Sequence, residues 1–184
     1  MTLTILFIAC VLATAVDLAS VALVSAFIYQ KPTVWQVVKT IAVPLVVCTV
    51  TIFLGLTFGN YLTGIVKQAE CNWIASSLFF MLALKMAYDA LKLSPLKQTI
   101  NPTSVVGLLV LAVFAGVNAF FYSTAFGLLV QQQSILNVAY VLVLALIIGC
   151  IVGLRAKRLY RLYAEWILAF VSVVTALVLI VGGY

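Results

Sequence analysis

Asp17 stands in the middle of an apolar run over residues 2–28, and no other carboxylate of the chain lies so deep in an apolar stretch. An ionised group at the centre of a spanning helix costs about 2.5–3.5 kcal/mol on insertion scales, so such residues mark ion pathways, proton relays or substrate sites. At about 100° per residue, Cys10, Thr14, Asp17, Ser20 and Ser25 share one side of a helix and form a polar stripe along it. In the second apolar run Thr40, Pro44, Cys48, Thr51 and Gly55 cluster in the same way. Pro44 removes one backbone hydrogen bond and frees the carbonyl near Thr40, which can ligate a cation or be satisfied by water or by Thr40 itself. In the fourth run Gly107, Ala115, Asn118, Tyr122 and Ala125 make a narrow face of small residues with two polar heads. Where these stripes meet, oxygens of Asp17, Asn118, Thr14 and Thr51 can replace part of a cation's hydration shell, with Cys48 and Cys10 as softer donors. A single Ser or Thr in a membrane helix is explained by a bond to the preceding turn or by helix packing, and a single Asn by interhelical bonding. A whole stripe that contains a carboxylate points to a site.

The elements that must carry these stripes are set by composition. Of 184 residues 66% are hydrophobic and 8% charged, with a mean hydropathy of +1.30. A spanning helix needs about 20 mostly apolar residues. Six windows qualify, at residues 2–28, 37–59, 73–91, 105–130, 135–153 and 166–181. The expected fold class is all-α, a polytopic membrane protein in a single domain over 1–184. A buried soluble core is excluded because no amphipathic elements remain to cover it. The first run is expected to be a true span and not a signal peptide, since it has no basic leading segment, is too long and contains Asp17.

The net charge of +6 reflects topology and not a nucleic-acid partner. Lys31 and Lys39 flank the first connection, Lys85, Lys92 and Lys97 the third, and Arg155, Lys157, Arg158 and Arg161 the fifth, which leaves only Lys67 in the second. With nine of ten basic residues on the odd connections, near residues 30–36, 92–104 and 154–165, those connections are expected in the cytoplasm and both termini outside. The pairs Lys85/Asp89 and Arg161/Glu165 have i,i+4 spacing and read as structural, with Lys85 pairing locally or snorkelling. Cys10, Cys48 and Cys150 lie in spans and Cys71 in an outward connection, so the four cysteines form no disulfide framework.

The chain also repeats itself. Asn72-Trp73-Ile74 and Glu165-Trp166-Ile167 open the third and sixth spans, while Gly55/Gly59 and Gly149/Gly153 end the second and fifth at GxxxG spacing. Val16-Asp17 aligns with Val117-Asn118. Two sets of three spans, about 1–92 and about 105–184, must enter the membrane with opposite orientation, the inverted-repeat plan of secondary transporters with a site near the midplane.

These residues resemble a known family. Ala13-Thr14-Ala15-Val16-Asp17-Leu18-Ala19-Ser20, the Gly55/Gly59 spacing, Trp73-Ile74-Ala75 through Leu82, Lys85, Met86 and Asp89, and Ala164-Glu165 before the last span are similar to the bacterial manganese efflux pump (MntP) family. The first of these segments is also similar to cadmium-resistance transporters of the CadD type, within the wider LysE-like exporters. The resemblance implies export of a divalent cation by a secondary transporter of the bacterial cytoplasmic membrane, with Asp17 as the acidic residue of the first helix. Two positions depart from the family pattern: Asn118 stands where a second aspartate is usual, and Cys48 or Thr49 where a glutamate is common. Fewer carboxylates favour a cation of lower charge or a softer one, since carboxylates are the hard donors that Mn²⁺ prefers.

Enzymatic chemistry has no support in the residues. The chain has no His, no recognisable nucleophile motif and no phosphate-binding loop, so transport must run on an ion gradient or membrane potential. No cofactor is expected, a metal being cargo; the partners are the bilayer and the transported cation, without nucleic acid, and self-association into a homo-oligomer is compatible with the sequence. Two alternatives stand beside metal export. One is export of a small organic solute such as an amino acid, with its ammonium on Asp17 and a roomier cavity lined by Tyr122 and Phe121. The other is a non-transporting membrane subunit that keeps the fold.

Overall fold

The computed structural model describes residues 11, 15, 19, 33–92, 104–129, 135–155 and 158–182. Five helices run through them: α1 (Val34–Thr63), α2 (Gln68–Lys92), α3 (Val105–Gly127), α4 (Ile135–Arg155) and α5 (Arg158–Gly182). No strand occurs among the described residues, and the all-α class holds. α1, α2 and α3 are long and apolar enough to cross a membrane, and α4 and α5 carry shorter apolar segments at Ala139–Ile151 and Ala169–Ile180. The protein is a multi-pass membrane protein. In the first apolar run Val11, Ala15 and Ala19 are helical, while Cys10, Thr14, Asp17, Ser20 and Ser25 lie outside the described residues.

α1, α2, α4 and α5 overrun the apolar windows that announce them, while α3 ends at Gly127, short of residue 130. α1 has 30 residues, about 45 Å at 1.5 Å per residue, against a hydrocarbon core of about 30 Å. Its start is fixed by Gln36, whose side chain accepts the Thr33 backbone N–H at 2.9 Å, and Gly64 follows its last turn. The second connection shrinks to residues 64–67, because a backbone at the membrane edge satisfies its polar groups most simply by staying helical. Cys71 therefore lies in the first turn of α2 and not in a connection; it is buried, with its thiol 3.8 Å from the Val66 carbonyl. Likewise the backbone is helical from Arg158 onward, where the sequence suggests a connection reaching to residue 165.

Packing does not follow chain order. α1 lies along α3 and α2 along α5, with smaller contacts of α2 with α3 and α1 with α4, while the consecutive α1 and α2 barely touch. Glycines permit the first of these approaches. A Cβ on Gly55 would lie 2.5 Å from the Phe120 carbonyl oxygen, and one on Gly127 would lie 2.7 Å from that of Leu56. Both would collide, so α1 and α3 meet backbone to backbone as small-residue membrane interfaces do. A Cβ on Gly149 in α4 would likewise run into the backbone of Ala15, 2.9 Å from its Cα.

The outer surface of the described helices carries many large apolar side chains. Val46, Val50, Phe53, Leu54 and Phe58 on α1 are exposed. So are Val110, Val113, Phe114 and Val117 on α3, whose buried side carries Ala112, Ala115, Gly116 and Ala119. Large apolar residues facing out, with small ones where helices approach closely, suit a lipid solvent, where close backbone packing contributes much of the cohesion. Trp35, Trp73 and Trp166 are exposed, as interfacial anchors are.

Candidate functional site

α3 has two working sides. Toward α1 it presents Gly116, Ser123 and Gly127, and Thr51 packs its γ-methyl 3.2 Å from where a Gly116 Cβ would be. Roughly 120–160° around the same helix by its periodicity, Asn118 and Tyr122 face α2 and α5. Asn118 is 4% exposed and sits near the middle of a 23-residue helix. Its Oδ1 accepts a hydrogen bond from the Lys85 ammonium of α2. One turn further, the Tyr122 hydroxyl donates to Met86 Sδ at 3.3 Å and lies 2.8 Å from the Ser172 hydroxyl of α5, either of which can donate. The Phe79 ring rests on Tyr122 at 5.8 Å between centroids. Ser76 donates to the Ala176 carbonyl at 3.0 Å and ties α2 to α5. A buried polar seam thus runs between α2, α3 and α5, and it places a positive charge on an amide oxygen at mid-helix.

The sequence-derived site residues are distributed unevenly. Asp17 and Thr14 lie outside the described residues. Asn118 is in the seam. Cys48 is buried on the α1 face that also carries Thr40, Pro44 and Gly55. Thr51 donates its hydroxyl to the Cys48 carbonyl at 2.9 Å and packs on Gly116. Thr51 and Asn118 are therefore on opposite sides of α3 and are not brought together. Thr40 donates to the Gln36 carbonyl at 2.8 Å. Among the described residues no three Cys, Asp or Glu side chains come together as an ion-holding group. Tyr122 is buried at 1%, whereas Phe121 beside it faces outward at 38%, so the two do not line one cavity.

Sequence reasoning overlooked Lys85 as a participant. It reads as a side marker or a local partner of Asp89, and its side chain also reaches Asn118 of α3. The signal was its position: Lys85 lies six residues inside the end of the 73–91 window, too far from the edge to be a simple interfacial flank. Ser172 carried no signal, since a lone hydroxyl does not stand out in an apolar run, and Met86 entered only through the family resemblance.

A family model described as "Putative manganese efflux pump" matches residues 31–183. No curated protein and no solved structure matches the chain.

Proposed function

Because the chain belongs to the manganese efflux pump family, we propose that it is a secondary transporter that exports a metal cation, Mn²⁺ or a related divalent ion, across the cytoplasmic membrane. Asp17 is its principal intramembrane ligand and Asn118 a second oxygen donor, with Thr14 one turn from Asp17 on the same helical face. Thr51 and Cys48 belong to the α1 contact with the opposite side of α3 and are not among the ligands that join Asn118.

The observation that carries this reading is the orientation of Asn118: its buried amide oxygen, at mid-helix, already accepts a cationic head. A buried carbonyl-type oxygen aimed at positive charge is what a desolvated cation needs in exchange for water.

The wider architecture of the proposal is six spans in two inverted repeats, about 1–92 and about 105–184. It draws support from a repeated contact. Gly55 of α1 meets the backbone of α3, and Gly149, its counterpart by the sequence repeat, meets the backbone at Ala15 of the first span. A transporter with that symmetry alternates access by moving one half against the other around a midplane site.

Asp17→Asn tests the proposal. The change removes the charge that attracts a desolvated cation and keeps a side chain of nearly the same shape. Uptake of Mn²⁺ into inverted vesicles should fall to background while membrane insertion and detergent stability stay those of the wild type. Transport at the wild-type rate would make Asp17 structural. A second reading, export of an amino acid, gains from Lys85, whose ammonium can meet a substrate carboxylate while Asp17 meets the substrate ammonium. Accumulation of labelled amino acids and not of Mn²⁺ in the same vesicles would favour it.

A further inference from the structure

Lys85 brings a side-chain ammonium to the oxygen that the proposed function assigns to the cargo. The ammonium reaches Asn118 Oδ1 from the neighbouring helix. Asn118 is 4% exposed, so little water is present to screen a second charge, and two cations on one oxygen in a low-dielectric interior repel strongly. A metal ion and the Lys85 head therefore exclude each other at Asn118.

We infer that Lys85 is a tethered competitor of the transported cation: its ammonium occupies Asn118 Oδ1 when the site is empty and must swing away for a metal ion to bind there. The inference rests on the proposed metal-export function and adds the residue that sets the strength of metal binding. The flexible four-carbon stem of lysine and its three rotatable donors suit such a swing. The consequence is a weakened metal site. A transporter's site must be strong enough to load and weak enough to unload, and an internal cation that reclaims the ligand helps expel the cargo and disfavours its return.

The same side chain has a purely structural explanation, in which the Lys85 bond to Asn118 only fastens α2 to α3. The two explanations predict opposite signs for metal binding when the charge is removed. The experiment measures Mn²⁺ and Cd²⁺ binding by titration calorimetry on the purified full-length protein, for wild type, Lys85→Gln, Lys85→Met and Lys85→Arg. Glutamine keeps an N–H donor without the charge, methionine removes both, and arginine keeps the charge. A competitor predicts at least tenfold tighter binding in Lys85→Gln and Lys85→Met, slower release from preloaded vesicles, and near wild-type affinity in Lys85→Arg. Unchanged or weaker binding in both neutral variants, with a wild type that binds metal, overturns the competitor role and leaves metal export standing. Absence of binding in the wild type and all variants, each monodisperse in detergent, overturns the metal reading and this inference with it.

Discussion

At the scale of single residues the seam is decided by one amide. Asn118 pairs with Lys85 as a neutral acceptor, and a neutral acceptor holds an ammonium less firmly than a carboxylate does. Asn118→Asp should therefore do two things at once, strengthening the hold on a divalent ion and the hold on Lys85. The expected result is tighter Mn²⁺ binding, by roughly tenfold or about 1.4 kcal/mol, when the substitution is made in the Lys85→Gln background. The gain should be smaller when Lys85 is present to neutralise the new carboxylate. A double-mutant cycle on the calorimetric affinities reads this coupling directly. Additive effects would mean that the two side chains do not compete for one place. Tyr122 shows the other use of polarity in the same seam: its hydroxyl is satisfied by Met86 and Ser172, and its ring is part of the apolar core with Phe79.

At the scale of elements, the contact of α1 with α3 depends on the absence of side chains. Gly55, Gly59 and Gly127 bring the two backbones together, and a methyl group at Gly59 would lie 2.9 Å from the Gly127 Cα. Gly59→Leu should overpack the interface and cost about 1–3 kcal/mol, read as a lower midpoint of thermal unfolding in detergent. Gly64→Ala is the matched control. It follows the last turn of α1 in exposed backbone, and its new methyl would meet nothing closer than the Tyr61 carbonyl at 3.4 Å. Its effect should stay within about 0.5 kcal/mol. Equal losses in both would show that the glycine pair is not an interface. Gly149→Leu should act like Gly59→Leu, because a side chain there would run into the backbone of Ala15.

At the scale of the whole molecule, orientation rests on charge. Lys85 belongs to the interior seam, which leaves eight basic residues on the odd connections against Lys67 on the second, and the asymmetry survives. We expect the 64–67 turn outside and the connection near residue 98 in the cytoplasm. Cys71 is a poor reporter of this, because it is buried at 2% and would resist a thiol reagent from either side. Glu70→Cys is exposed at the start of α2 and should react with an impermeant maleimide in intact cells, in a background with Cys71 replaced. Gln98→Cys should react only after permeabilisation. The reverse pattern would invert the topology.

The sequence by itself determined the class, the approximate spans of α1, α2 and α3, and the stripes of α1 and α3. Each of these follows from rules that act along one chain: the apolar length needed to cross a bilayer, the helical period that puts residues on one face, and the small residues that mark close packing. The buried state of Thr40, Cys48, Asn118 and Tyr122 was legible in that way. Which stripe meets which was not. A helix presents more than one face, and periodicity cannot say that Thr51 packs on Gly116 while Asn118 turns the other way toward Lys85. Nor can it say that helices adjacent in sequence, α1 and α2, barely touch while α2 lies along α5. Those choices are made by the fit of glycine faces against backbone and by the need of a half-buried ammonium for an acceptor. Both are properties of helices already assembled, and only the tertiary structure decided them.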